Sequence, residues 1–139
     1  MTAAAQSDAA GFPSRDGEQP WSAAEIAELR WRLTEEAAEL QAEINKAESE
    51  IADRLGDSIR DAGDDQADAG AKAYEREHEL SLTYKARELL AQAERALARI
   101  EAGTYGSCES CGEPIGKARL QAFPRATLCV TCKQREERH

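Results

Sequence analysis

The residues best suited to chemistry are four cysteines, which form two Cys-x-x-Cys pairs near the C-terminal end. Cys108 and Cys111 make the first pair, Cys129 and Cys132 make the second, and seventeen residues separate the pairs. Thiolates three residues apart can hold one side of a tetrahedral ion, and a second such pair can close the other side. The spacing is that of a zinc module. The sequence therefore predicts one structural Zn²⁺ bound by these four residues, and no catalytic site.

A redox dithiol is the alternative reading of the cysteines. Redox motifs usually have a single Cys-x-x-Cys pair in a strand–helix–strand setting, whereas this segment has two pairs. The first twenty residues lack the basic and apolar regions of a signal peptide, so we expect a cytoplasmic, reducing location. Structural disulfides are rare there. No apolar run approaches the length of a membrane span, so we expect no membrane partner.

The elements before the cysteines are predicted to be helical. Residues 1–20 lack apolar periodicity and are predicted to form a disordered tail. Ser22 and Glu25 have the spacing of a capping box, which predicts a helix start. The Gly- and Asp-rich stretch at 61–70 predicts a tip with a chain reversal at about 62–65, and Asp64 or Asp65 is predicted to cap the second helix. A second helix is predicted to end at Ala102.

Apolar residues recur in both predicted helices at steps of three or four, as in a heptad seam. They are Ile26, Leu29, Leu33, Ala37, Leu40, Ile44, Ala47, Ile51 and Leu55 in the first helix, and Leu82, Ala86, Leu89, Ala93, Leu97 and Ile100 in the second. Because two matching seams flank one turn, we predict a mainly α fold. It comprises a long antiparallel coiled-coil hairpin over 21–102 and a small zinc finger with a short terminal helix over 103–139. The seam could instead serve a partner chain, but we favour a monomer.

Charge is unevenly distributed along the chain. Residues 21–102 contain 20 Asp and Glu against 11 Lys and Arg, whereas residues 103–139 contain 4 against 6. An acidic rod would be repelled by nucleic-acid phosphates, which argues against direct DNA binding. Two tryptophans, Trp21 and Trp31, fall near the hairpin base, and we predict that they cover its junction with the finger. Gly112 is predicted to point a backbone N–H at a thiolate sulfur.

The segment from Tyr105 to Arg138 resembles the C4 zinc finger of the DksA/TraR family of bacterial transcription regulators. The shared features are an aromatic-Gly pair before the first cysteine, Cys-x-x-Cys-Gly, Ile-Gly, Arg-Leu and Pro-x-x-x-Leu-Cys-x-x-Cys-Lys. The "ELSL" stretch of the second helix, Glu79–Leu82, also resembles the family. The first helix is similar only in its pattern.

The resemblance implies a function that the residues alone do not. Members of this family bind RNA polymerase rather than promoter DNA, with the hairpin in the secondary channel of the enzyme and the finger at its rim. Acidic residues at the hairpin tip modulate open-complex stability, often together with the alarmone ppGpp. By this resemblance Asp65 and Asp68 take the two acidic tip positions, although Gly70 stands where the family pattern has alanine. No motif places ppGpp-binding residues here.

Two other functions are compatible with the residues. One is a zinc-ribbon module that binds nucleic acid, with the coiled coil as a spacer or dimeriser. The other is a coiled-coil adaptor with no role in transcription. The acidic charge of the predicted rod favours polymerase binding over the first, and the acidic tip favours it over the second.

Overall fold

The computed structural model describes residues 11–60 and 66–138 of the chain. This part contains four helices: α1 (Ala23–Arg60), α2 (Gln66–Ala102), α3 (Lys117–Ala122) and α4 (Val130–Glu137). An isolated β-bridge between Ser107 and Pro114 is the only extended pairing within these ranges. The mainly α fold class, with its short terminal helix, is confirmed. None of the described helices is long and apolar enough to cross a membrane.

The ends of the two long helices follow local sequence signals. The Ser22 N–H donates to Glu25 Oε1 at 2.9 Å and the Glu25 N–H donates to Ser22 Oγ at 3.1 Å, which is the predicted capping box of α1. The second long helix, α2, ends at Ala102, and Gly103 follows it with a φ of 78°. A residue in this left-handed conformation ends many helices, and glycine adopts it without a steric penalty.

One compact unit comprises Met1–Ala37 and Gln92–His139. Its core joins the start of α1, the end of α2 and the zinc finger. The buried residues are Phe12, Trp21, Ile26, Leu29, Leu33, Ala93, Ala96, Ile100, Tyr105, Cys108, Ile115, Leu120 and Cys132. The finger therefore shares its core with the helix ends, since a segment of this size buries little apolar surface alone. The predicted boundaries, between tail and hairpin after residue 20 and between hairpin and finger after residue 102, stay predictions.

The second compact unit comprises Ala38–Ala91. Within it α1 and α2 are antiparallel, because Glu48 forms an ion pair with Arg87 whereas the later Arg54 pairs with the earlier Glu79. Ile44 is buried at the interface of the two helices. Both pairs join α1 to α2 within this unit.

The α2 seam differs from its predicted register at one end. The sequence prediction placed Leu82 in the seam, but its side chain is 56% exposed, and Thr83 is buried instead. Thr83 can occupy this position because its hydroxyl donates to the carbonyl oxygen of Glu79 at 2.9 Å, which satisfies the buried polar group. Leu55, at the end of the predicted α1 seam, is also exposed.

The predicted disordered tail is wrong for residues 11–20. Phe12 is buried in the core, and the indole N–H of Trp21 donates to the carbonyl oxygen of Pro13 at 3.0 Å. The composition of this segment is that of a disordered chain. The prediction failed because one aromatic ring and a few hydrogen bonds to distant residues hold the segment in place.

Some predictions fall on residues outside the described ranges. They include the chain reversal at 62–65, the capping of the second helix by Asp64 or Asp65, and the first tip residue, Asp65. The second tip residue, Asp68, belongs to the first turn of α2.

Candidate metal centre

The first cysteine pair lies in a tight turn that follows the β-bridge of the finger. The Cys108 N–H donates to the Glu113 carbonyl oxygen at 2.8 Å, and the Gly112 N–H donates to the Cys108 carbonyl oxygen at 3.0 Å. The φ of Gly112 is 79°, a conformation that favours glycine. The N–H of Gly112 itself is engaged by a carbonyl oxygen, but the backbone N–H of the next residue, Glu113, hydrogen-bonds the Cys111 sulfur. The turn at Gly112 therefore does point a backbone N–H at a cysteine sulfur, as predicted.

The second cysteine pair lies at the start of α4. Cys129 is the N-cap residue of this helix, and Cys132 lies in its first turn, so that helix geometry fixes their separation. The two pairs are connected through the backbone, since the Glu109 N–H donates to the carbonyl oxygen of Thr127 at 2.9 Å. Backbone hydrogen bonds and helix geometry thus define the local structure of each pair.

The structure brings the four predicted cysteines together. Their sulfur atoms all lie within 4.8 Å of one another. Cys111 Sγ and Cys129 Sγ are 3.8 Å apart. Sulfur atoms placed tetrahedrally at about 2.3 Å from a zinc ion lie about 3.8 Å from each other. The distance between the sulfurs of Cys111 and Cys129 therefore fits zinc. The four-cysteine set provides a structural zinc site, because four thiolates leave no coordination position open for a substrate.

The environment of the sulfurs suits a cation. Burial disfavours the Cys108 thiolate, but backbone amides of Cys111, Cys129 and Ser110 outweigh it and lower the pKa of Cys108 to about 6. At Cys132 the Ser110 hydroxyl favours the thiolate, yet the neighbouring sulfurs and burial together raise its pKa to about 12. Four crowded thiols cannot all ionise unless a positive charge compensates them. A divalent cation would supply that charge.

Two arginines of α1 and α2 hold the finger against the helix ends within the first unit. Arg32 Nη1 donates to the carbonyl oxygen of Gln121 at 2.8 Å, and Arg99 Nη2 donates to that of Ser107 at 2.6 Å. The buried hydroxyl of Tyr105 donates to the Pro124 carbonyl oxygen at 2.8 Å. These bonds fix the orientation of the finger through its backbone rather than through its metal ligands.

Two ion pairs add to this attachment. Arg125 Nη1 lies 3.1 Å from Glu36 Oε1, and Lys117 Nζ lies 2.8 Å from Glu25 Oε1. The hydrogen bond from Lys117 is the main cause of a lowered pKa at Glu25. In the sequence, Lys117 is one of the 6 basic residues of the segment 103–139. Its partner lies 92 residues away, and no local pattern signals such a pair.

The prediction for the two tryptophans is right for one of them. Trp21 is buried, stacks on Tyr105 with ring centroids 6.3 Å apart, and lies under the ammonium group of Lys117. It therefore covers the junction between α1 and the finger. Trp31 is 64% exposed and does not.

Comparisons with known proteins agree with this geometry. Residues 103–138 match the model of the prokaryotic dksA/traR C4-type zinc finger. The chain is 45% identical over 74 residues to a Caulobacter vibrioides protein named RNA polymerase-binding transcription factor DksA. That match covers 53% of this chain and 52% of the relative, so it spans about half the length of that protein.

Two longer matches extend the similarity to the helices. The Escherichia coli K12 protein of the same name is 30% identical over 122 residues, which cover 88% of this chain and 78% of that protein. The solved structure of transcription factor DksA2 from Pseudomonas aeruginosa superimposes with a TM-score of 0.68 at 35% identity. It covers 83% of this chain and 84% of the other. Both helices and the finger therefore have counterparts in known proteins.

Proposed function

The chain belongs to the DksA/TraR family, and from this membership we propose that it is a non-enzymatic transcription regulator that binds RNA polymerase. The observation that carries the proposal is the four-cysteine finger packed on the ends of two long helices, in a chain that matches named RNA polymerase-binding factors over most of its length. A shared fold alone would not support a shared partner, but here the finger sequence and the helices are similar together.

The metal ligands are part of the proposal. Cys108, Cys111, Cys129 and Cys132 hold the structural zinc, and the ion folds the finger rather than acting on a substrate. Support comes from the sulfur spacing and from the amides that stabilise the Cys108 thiolate. Metal binding and finger folding are then one process, as in other small zinc modules.

The mode of polymerase binding is also proposed. The two helices enter the secondary channel, and Asp65 and Asp68 modulate open-complex stability from the hairpin tip. The excess of acidic residues over 21–102 supports this mode, because a negatively charged segment is attracted towards bound metal ions and repelled by free duplex DNA. The protein acts as a cytoplasmic monomer, which the ion pairs between α1 and α2 of the same chain support.

Binding to core RNA polymerase tests the main proposal. Purified zinc-loaded protein, immobilised through an N-terminal tag, should retain core polymerase in a concentration-dependent manner. A 40-base-pair promoter duplex alone should not be retained. If the duplex is retained and the polymerase is not, the protein is a nucleic-acid-binding zinc ribbon. If neither is retained, the adaptor function is favoured. Repeating the assay with ppGpp measures whether the alarmone strengthens the complex.

A further inference from the structure

The ordered N-terminal segment makes contacts that the proposed function does not explain. We call residues 12–18 the strap. Phe12, at one end, is 6% exposed and lies in the core with the finger residues. The adjacent Pro13 accepts the indole hydrogen bond of Trp21. The first end of the strap is therefore anchored to the base of α1.

Glu18 anchors the other end of the strap to the finger. One oxygen of its carboxylate accepts the N–H of Arg15 at 2.8 Å, and the other accepts the N–H of Lys117 at 2.9 Å. The Glu18 N–H donates in turn to the Arg15 carbonyl oxygen at 3.1 Å. The carboxylate thus closes the turn of the strap and ties that turn to the first residue of α3.

Between its anchors the strap lies directly on the backbone of the finger. A side chain added at Gly106 would meet the Pro13 carbonyl oxygen at 3.2 Å, and one added at Gly116 would meet Arg15 Cδ at 2.9 Å. Both glycines also have positive φ values, 101° and 110°. The positive φ values favour glycine at both positions, and at Gly106 the absence of a Cβ leaves room for the Pro13 carbonyl oxygen of the strap.

The strap also forms a wall of the approach to the sulfurs. Ser14, Arg15 and Asp16 line a cavity of about 800 Å³ together with Cys111, Cys129 and Cys132. Cys108 and Cys132 are buried, whereas Cys129 is half-buried and Cys111 is exposed. The strap therefore bounds one side of the cavity in which the most exposed cysteine, Cys111, lies.

We propose that the strap is a cover that limits the rate at which the finger loses zinc. A chelator removes the ion by binding it while a thiolate leaves and takes up a proton, with no oxidation. While the strap is anchored by Phe12 and Glu18, it narrows the approach of a chelator to Cys111, Cys129 and Cys132 from one side of the cavity. When the strap detaches, that side of the cavity opens. The inference rests on the proposed ligand set.

Transfer of zinc to the chelator 4-(2-pyridylazo)resorcinol, followed by absorbance, tests the cover. Native mass spectrometry first establishes that the full-length protein carries one zinc ion. Glu18→Ala should then accelerate zinc transfer on the order of tenfold, a factor equivalent to the loss of about one hydrogen bond. Glu28→Ala, which removes an exposed carboxylate from α1, is the matched control and should transfer zinc at the wild-type rate.

A second variant and a second measurement separate the cover from general destabilisation. Phe12→Ala should also accelerate transfer, with unchanged helix content by circular dichroism. In Glu18→Ala the amide hydrogen of Lys117 should exchange faster, because its acceptor is gone. Equal transfer rates in wild type and Glu18→Ala, or equal acceleration in Glu28→Ala, would overturn the inference alone. A wild-type protein without zinc would overturn the ligand assignment and this inference with it.

Discussion

Lys117 of the zinc finger and Glu25 of the α1 capping box form an ion pair, with Nζ 2.8 Å from Oε1. The lysine side chain is 12% exposed and that of Glu25 is 31% exposed, so water screens the pair only in part. Since Glu25 also binds the backbone of Ser22, a single carboxylate both starts the helix and holds the finger. The attachment of the finger is therefore coupled to the stability of the first turn of α1.

A double-mutant cycle with Lys117→Met and Glu25→Gln should measure this coupling. We expect an interaction energy of about 0.5 to 1 kcal/mol in urea unfolding of the zinc-loaded protein. The folded pKa of Glu25 is lowered from 4.5, so the pair stabilises the protein above that value and is lost only as pH falls through the lowered pKa. The coupling should therefore be equal at about pH 5.5 and pH 7.5. An interaction energy that disappears at about pH 5.5 would contradict the assignment of the ion pair between Lys117 and Glu25.

The interface of α1 and α2 gives a prediction with a matched control. Ile44 is 3% exposed and Leu82 is 56% exposed, although both were predicted to lie in the seam. Ile44→Ala should lower the free energy of unfolding by about 2 to 4 kcal/mol, because it leaves a cavity. Leu82→Ala should change it by less than about 0.5 kcal/mol. Similar losses in both variants would show that Leu82 is part of the core.

Removing one thiolate should release the metal. Cys108→Ser removes a proposed zinc ligand whose pKa the surrounding amides lower to about 6, so native mass spectrometry should show a protein without stoichiometric zinc. The amides of 103–138 should then exchange rapidly, whereas those in the middle of α1 should change little. A variant that keeps both its zinc and its exchange protection would show that Cys108 is not a ligand.

The tip residues should affect activity more than binding. Asp65→Asn with Asp68→Asn removes two charges with little change in size. Affinity for core polymerase should stay within about threefold of wild type, since few interface residues carry most of the binding energy. In the presence of heparin, promoter complexes should decay at the same rate with the double variant as without any added protein. If the double variant shifts complex lifetimes as the wild type does, the two aspartates have no role beyond solvation.

The sequence alone determined the parts of this protein that depend on short-range patterns. The capping box of Ser22 and Glu25, the α2 end at Ala102 and the four-cysteine set all follow from residue types within one or two turns of chain. Such signals depend on local backbone geometry and on the coordination preference of one ion. They need no knowledge of what lies across the fold.

The tertiary structure decided which surfaces meet. Three features depend on partners in other elements. They are the ordered conformation of residues 11–20, the burial of Thr83 in place of Leu82, and the ion pair of Lys117 with Glu25. A heptad pattern predicts that a seam exists, but packing against the neighbouring helix selects which of two adjacent residues, Leu82 or Thr83, is buried in it. A Pro- and Gly-containing segment looks disordered until a distant backbone offers it hydrogen bonds. Those energies arise only when the elements pack, which is why the sequence did not reveal them.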